Sequence, residues 1–111
     1  MTVVATPQRF EVWLVNLDPT QGSEINKTRP CVVVSPDELN RDLRTVIVAA
    51  LTSASRSYPS RVACQFQSKD GQVALDYIRS VDKTRLVRRL GLLPVATAQA
   101  VCERLGEMFA Y

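Results

Sequence analysis

The chain contains no histidine. That absence removes Ser-His-Asp and Cys-His catalysis, paired-histidine acid–base chemistry and histidine-ligated metal sites. Cysteine is sparse as well. Cys31, Cys64 and Cys102 are odd in number, far apart, and form no C-x-x-C pair. This argues against a disulfide framework and for reduced, buried thiols in a cytoplasmic protein. No apolar run reaches the roughly 18 residues of a helical membrane span, so none is expected. Residues 1–9 lack a basic start followed by a long apolar stretch, so no signal peptide is expected. There is neither an internal repeat nor a low-complexity tract. Any chemistry must therefore come from carboxylates, arginines, hydroxyls and backbone, with no metal ion or cofactor implied.

What is present describes one small globular unit. The 111 residues suit a single domain, with residues 1–8 as a loose arm. Hydrophobic residues make up 46% and charged residues 23%, enough for one compact core. The formal charge is +3 and the pI about 9.0. Such mild basicity permits a polyanionic partner without requiring one.

Residues 10–17 read as a strand, with Phe10, Val12 and Leu14 alternating against Glu11, Trp13 and Val15. Asp18-Pro19 breaks it, and a polar loop follows. Pro30, which has no N–H, suits the first position of a second strand over 31–35. Pro36, Asp37 and Glu38 open a short helical turn, with Ser35 in the N-cap role. Residues 45–51 are apolar on both faces, as in a central strand. Residues 61–66 and 72–75 read as strands around Lys69-Asp70-Gly71, where Asp-Gly signals a hairpin. Shorter strands are expected over 77–81 and 86–89. Residues 94–111 carry one helix, its apolar stripe running through Ala98, Val101, Cys102, Leu105, Met108 and Phe109. The expected fold is mainly β: a small, bent antiparallel barrel or sheet, one short helix, and a C-terminal helix packed on it.

Polar residues collect in loops between rigid strands, where function concentrates. Arg29, anchored by Pro30, can aim a planar, always-charged fork at a phosphate. If the first three strands form a meander, the start of the second lies beside the end of the third. Thr52 would then meet Arg29 at one rim and share that phosphate. The plainer reading of Thr52 is a strand-ending hydroxyl bonded to its own backbone. Asp76 is either a surface carboxylate paired with Arg79 or a base or orienting acceptor. Tyr58, Tyr77 and Trp13 are candidates for base stacking, although core packing suits the mid-strand Trp13 better. Lys83, Arg85, Arg88 and Arg89 form the densest basic run, a solvated face or a backbone-tracking groove.

Longer blocks narrow these options. Glu11-Val-Trp-Leu-Val-Asn-Leu-Asp-Pro-Thr20 is followed by Gly22-Ser-Glu24-Ile-Asn-Lys-Thr-Arg29-Pro30. Val33-Val34-Ser35-Pro36, Asn40, Ala50-Leu51-Thr52-Ser53 and Tyr58-Pro59-Ser60-Arg61-Val62 come next. Val73-Ala74-Leu75-Asp76-Tyr77-Ile78-Arg79-Ser80-Val81-Asp82 and Leu86-Val87-Arg88-Arg89-Leu90-Gly91 complete the set. In that order, over residues 9–111, they resemble the MazF/PemK family of toxin ribonucleases, in its MazF-like branch.

The resemblance implies an SH3-like antiparallel β-structure with a C-terminal helix, assembled as a homodimer. It implies metal-independent cleavage of single-stranded RNA, chiefly mRNA, at short motifs. It also implies restraint by a cognate, MazE-like antitoxin whose acidic C-terminal segment covers the RNA groove. Arg29 and Thr52 fall on the family's catalytic arginine and threonine, Glu24 on its loop glutamate, and Asp76 on a carboxylate proposed as base in some members. Asn26, Lys27, Thr28, Ser53, Tyr58, Tyr77 and Arg79 are the accompanying RNA-binding candidates. Ala74 departs from PemK-like members that carry arginine there, so a mechanism built on that arginine does not transfer. Glu24 and Asp76 remain alternatives for the general base. A gyrase-directed toxin of the CcdB type and a non-catalytic RNA-binding barrel are the competing readings; the end of this chain lacks the tryptophan the former uses.

Overall fold

The computed structural model describes residues 6–17 and 28–111. Chain order is β1 (Glu11–Asn16), β2 (Thr28–Val33), α1 (Asp37–Asp42), β3 (Thr45–Thr52), β4 (Arg61–Phe66), β5 (Lys69–Asp82), β6 (Leu86–Leu92) and α2 (Val95–Met108). A single 3-10 turn, Lys83–Arg85, joins β5 to β6. The six strands form one sheet in the order β4-β5-β3-β2-β1-β6, every neighbouring pair antiparallel. The expected β-fold with a short and a C-terminal helix is the one observed.

The sheet is bent enough to bury both faces. Val12, Val32, Ala49, Val62, Val73 and Leu75 pack with Ala98 and Val101 of α2 on one side. Val15, Cys31, Val33, Val46, Val48 and Val81 form a second cluster on the other, with Trp13 and Leu17 against it. Successive residues of a strand point to opposite faces. Where both faces are covered, a strand must be apolar at nearly every position, which is why Cys31–Val33 of β2 and Val46–Leu51 of β3 read as continuous hydrophobic runs.

Several local expectations are corrected. Pro30 is the third residue of β2, not the first, and pairs with Leu14. The β2–β3 ladder covers only Cys31–Val33; it stops where Pro30 has no N–H to give. The segments 72–75 and 77–81 are one strand, β5. Its register against β3 jumps from Ile78↔Ala49 to Ala74↔Ala50, leaving Leu75, Asp76 and Tyr77 in a bulge. A bulge re-aims side chains: Leu75 is fully buried, while Asp76 and Tyr77 turn outward. The β4–β5 turn is made by Gln67 and Ser68, both at positive φ (53° and 64°), not by Asp70-Gly71, which lies inside β5.

Ser35 does not cap α1, whose N-cap is Pro36. It is buried and donates its hydroxyl to Asn40 Oδ1, while Asn40 Nδ2 returns a bond to the Ser35 carbonyl (2.9 Å). Ser35 Oγ also accepts the Ile47 N–H (3.0 Å), so the pair locks α1 onto β3. Within the expected loose arm, Pro7 is buried, and Gln8 N–H donates to the Glu11 carboxylate (2.8 Å). In α2 only Ala98 and Val101 are buried; Met108 and Phe109, at the end of the expected stripe, are exposed.

Candidate nucleic-acid interface

A cavity of about 590 Å³ opens over the second core cluster, where β2 and β3 part company. Its floor is made of small or buried residues: Cys31, Val48, Ala50 and Ala74. Arg29, Arg56, Arg61 and Arg79 stand around it with Thr52, Tyr58 and Tyr77. No carboxylate is among its lining residues in the described part of the chain. Among the described residues only Arg61 of the four is ion-paired, to Asp76, which leaves the cavity net positive over an apolar floor; such an excess attracts an extended polyanion.

Arg29 and Thr52 meet here because of the meander. Cys31 and Ala50 make the last rung of the β2–β3 ladder at this end, and Arg29 and Thr52 each lie two residues beyond it on their strands. Both side chains line the cavity. No described carboxylate forms an ion pair with Arg29. Thr52 Oγ1 accepts the Ala54 N–H (3.1 Å), the local bond expected of a strand-ending threonine. That bond fixes the oxygen and leaves its O–H free to donate. The two readings of Thr52 are therefore compatible.

The floor thiol is inert. Burial pushes Cys31 up to about 12, against the opposing pull of Arg29 and Arg79. It stays protonated at neutral pH, and a protonated thiol is neither nucleophile nor ligand.

Asp76 is partnered differently from the Arg79 pairing anticipated for it. Arg61 grips it with two bonds, Nε to Oδ1 (2.8 Å) and Nη2 to Oδ2 (3.2 Å), and Ser60 Oγ donates to Oδ1 (3.0 Å). Arg61 above all, and Ser60 with it, hold the carboxyl below the usual carboxylate range. Arg79 instead reaches the Leu17 carbonyl (3.4 Å). Gln72 pins the 53–60 loop over the cavity: its Oε1 accepts the Arg56 N–H (3.1 Å) and its Nε2 donates to the Arg56 carbonyl (2.9 Å).

Of the other candidates, Tyr58, Tyr77 and Arg79 line the cavity. Thr28 and Ser53 are exposed beside Arg29 and Thr52 without lining it. Glu24, Asn26 and Lys27 lie outside the described residues. Trp13 packs on the second core cluster and donates its indole N–H to Glu11 (3.0 Å). The basic run is dispersed: Arg89 pairs with Glu11 (2.8 Å), Arg85 reaches the Asn16 carbonyl (3.5 Å), and no member lines the cavity. Arg56 and Arg61 were given no role by the sequence. Arg61 reaches the cavity because Ala74, its cross-strand partner, leaves room. That signal becomes visible only once the register is known.

A bent antiparallel sheet closed by one helix, with an arginine-rimmed groove where a strand ladder ends, defines a small protein that handles a polyanionic chain. A profile of the family described as PemK-like, MazF-like toxin of type II toxin–antitoxin system matches residues 8–109. The chain belongs to that family. It is 37% identical over 92 residues to the endoribonuclease MazF of Staphylococcus epidermidis, covering 78% of this chain and 77% of that protein. Its fold is similar to that of Deinococcus radiodurans MazF solved with MazE, with TM-score 0.82 and 26% identity over 95% of this chain and 96% of that one. It is also similar to a mycobacterial endoribonuclease solved with its cognate antitoxin, with TM-score 0.77 and 27% identity over 91% and 92% of the two chains.

Proposed function

We propose that this protein is the toxin of a type II toxin–antitoxin system and an endoribonuclease that cleaves single-stranded RNA, chiefly mRNA, at short motifs without a metal ion. The observation that carries the reading is the convergence of Arg29 and Thr52 on one arginine-rimmed cavity. RNA brings its own nucleophile, the 2′-hydroxyl. Its oxygen attacks the adjacent phosphorus, its proton passes to a base, and the 5′-oxygen leaves and takes up a proton. The products are a 2′,3′-cyclic phosphate and a 5′-hydroxyl. Arg29 stabilises the phosphorane and takes part in proton transfer, while the Thr52 hydroxyl holds a non-bridging oxygen. A preorganised donor of this kind contributes about 3 kcal/mol, or 10²- to 10³-fold in rate. Of the two candidate bases, Asp76 is the weaker, because Arg61 already stabilises its ionised form. Glu24 is the other.

The same groove suits the acidic, flexible C-terminal segment of a MazE-like antitoxin, which would compete with RNA for the arginines. The working form is a homodimer acting in the cytoplasm, where mRNA is met. No helix among the described residues is long and apolar enough to cross a membrane.

Incubating the protein with a long single-stranded RNA in EDTA and mapping the new ends tests the reading. Discrete cuts bearing 2′,3′-cyclic phosphate and 5′-hydroxyl ends are expected, and the matching DNA is bound but left whole. Intact RNA, or cutting that requires an added divalent ion, overturns it. Binding without cutting would indicate a non-catalytic barrel.

A further inference from the structure

Arg61 sits at the cavity yet is poorly disposed to bind phosphate. Its side chain is only 7% exposed, and Asp76 takes both its Nε and its Nη2. The remaining Nη1 faces Gln72 Oε1 at 3.5 Å. Its charge is compensated, and Asp76 holds the Nε–Nη2 edge that would otherwise grip a phosphate. What the ion pair does achieve is to fix the guanidinium plane. Its Cζ lies 5.3 Å from the ring centre of Tyr58 and 5.8 Å from that of Tyr77, both within cation–π range. The two tyrosines are 51% and 65% exposed, so each keeps much of its surface open to solvent. Both line the cavity that holds Arg29 and Thr52. Two exposed rings set in place by a buried cation have the form of a stacking surface rather than of a core.

We propose that Tyr58, Arg61 and Tyr77 form one platform on which bases flanking the scissile phosphate stack, and that Arg61 and Asp76 are positioning residues that hold the two rings. The ligand is a nucleobase of single-stranded RNA, taken by its π-face, so the proposal rests on the ribonuclease reading. Arg29 and Thr52 act on the phosphodiester, while the platform sets where the neighbouring bases lie. The bulge at Leu75, Asp76 and Tyr77 supplies both the clamp and one ring.

The test uses the full chain and an RNA oligonucleotide spanning a mapped cut site. Cleavage kinetics are followed on the natural strand. Binding is followed by anisotropy on a strand methylated at the reactive 2′-oxygen, with 2-aminopurine beside the scissile position as stacking probe. Tyr58→Leu and Tyr77→Leu are expected to weaken binding and raise KM about 10-fold, with kcat within about threefold, and to abolish 2-aminopurine quenching. The phenylalanine variants recover most of that loss. Arg61→Leu raises KM likewise, and combined with Tyr77→Leu costs less than the product of the two. Asp76→Asn follows Arg61→Leu in KM and keeps the acidic limb of the kcat–pH profile. The Tyr→Leu changes are at exposed positions, so they remain informative if Arg61→Leu folds poorly. Tyrosine variants with wild-type KM and quenching, phenylalanine variants as damaged as leucine ones, or loss of the acidic limb in Asp76→Asn would each overturn the platform while leaving the ribonuclease reading intact. A wild-type chain that cuts no RNA removes both.

Discussion

Gly71 lies so close to Thr52 that a β-carbon on it would stand 2.5 Å from the Thr52 carbonyl oxygen and 3.4 Å from the carbonyl carbon. Real β-carbons do not approach backbone oxygen to within about 3 Å. The glycine is thus required by the strand that carries the proposed phosphate-binding hydroxyl. Gly71→Ala is expected to push the end of β3 outward, costing about 1–3 kcal/mol of stability as overpacking does. It should also lower cleavage more than its folded fraction explains, since a displacement near 1 Å at a reacting group can cost about 10²-fold. Thermal melts and single-turnover cleavage on the same preparation separate the two effects. Unchanged cleavage per folded molecule would show that Thr52 need not stay where Gly71 lets it lie.

Arg29→Ala and Thr52→Ala address the chemistry itself. Each removes one donor from the cavity, and neither residue belongs to a core cluster. A loss of about 10²- to 10³-fold in kcat is expected for each. The melting temperature should move little, and binding to the antitoxin's acidic segment should survive. Arg29→Lys should recover little, because a point charge cannot grip two oxygens. An Arg29→Ala protein that cuts at wild-type rate is incompatible with the mechanism.

These two residues were legible in the sequence because a meander needs only strand order: the start of β2 must lie beside the end of β3. Alternation revealed the first strand, Pro30 marked the second, and the apolar run over residues 45–51 revealed the central place of the third. The platform was hidden for the opposite reason. Arg61 and Ala74 are partners across a register that no local pattern encodes, and the bulge exposing Asp76 and Tyr77 exists only relative to β3. Gly71 misled for a related reason. Asp-Gly is the strongest short hairpin signal, but here the glycine answers to a backbone that arrives from another strand.

Acid should loosen the β1–β6 seam. Glu11 is 12% exposed on its side chain and pairs with Arg89 at 2.8 Å. Burial alone would raise its pKa, but the Gln8 N–H, the Trp13 indole and Arg89 together hold it below the ordinary value of 4.5. A carboxyl whose folded pKa is depressed adds stability above its unfolded pKa, and that stability is lost as pH falls through the folded one. Melting temperatures should therefore fall from about pH 4.5 downward, with Asp76 contributing in the same direction. Glu11→Gln should lower stability at pH 7 and flatten the acid decline. An equally steep decline in the variant would place the acid-sensitive group elsewhere.

The β4–β5 turn offers a test of backbone strain alone. Gln67 and Ser68 are the two central residues between Phe66 and Lys69, and both are at positive φ, as a type I′ turn demands. A non-glycine residue in that region costs about 1–2 kcal/mol. Replacing Ser68 by glycine relieves that strain but adds unfolded-chain entropy worth up to about 1 kcal/mol. Among the described residues the Ser68 side chain makes no hydrogen bond, whereas Gln67 Nε2 reaches the Leu90 carbonyl (3.4 Å), so Ser68 is the cleaner site. The balance favours Ser68→Gly by about 0.5–1 kcal/mol, a rise of about 2–6 °C in melting temperature for a chain of this size. Ser68→Val should go the other way by a similar amount, because β-branching aggravates positive φ. The turn is on the far side of Gly71 from the cavity, so RNA cleavage should be unaffected in both. If the glycine and valine variants melt alike, the hairpin reverses direction by some other conformation.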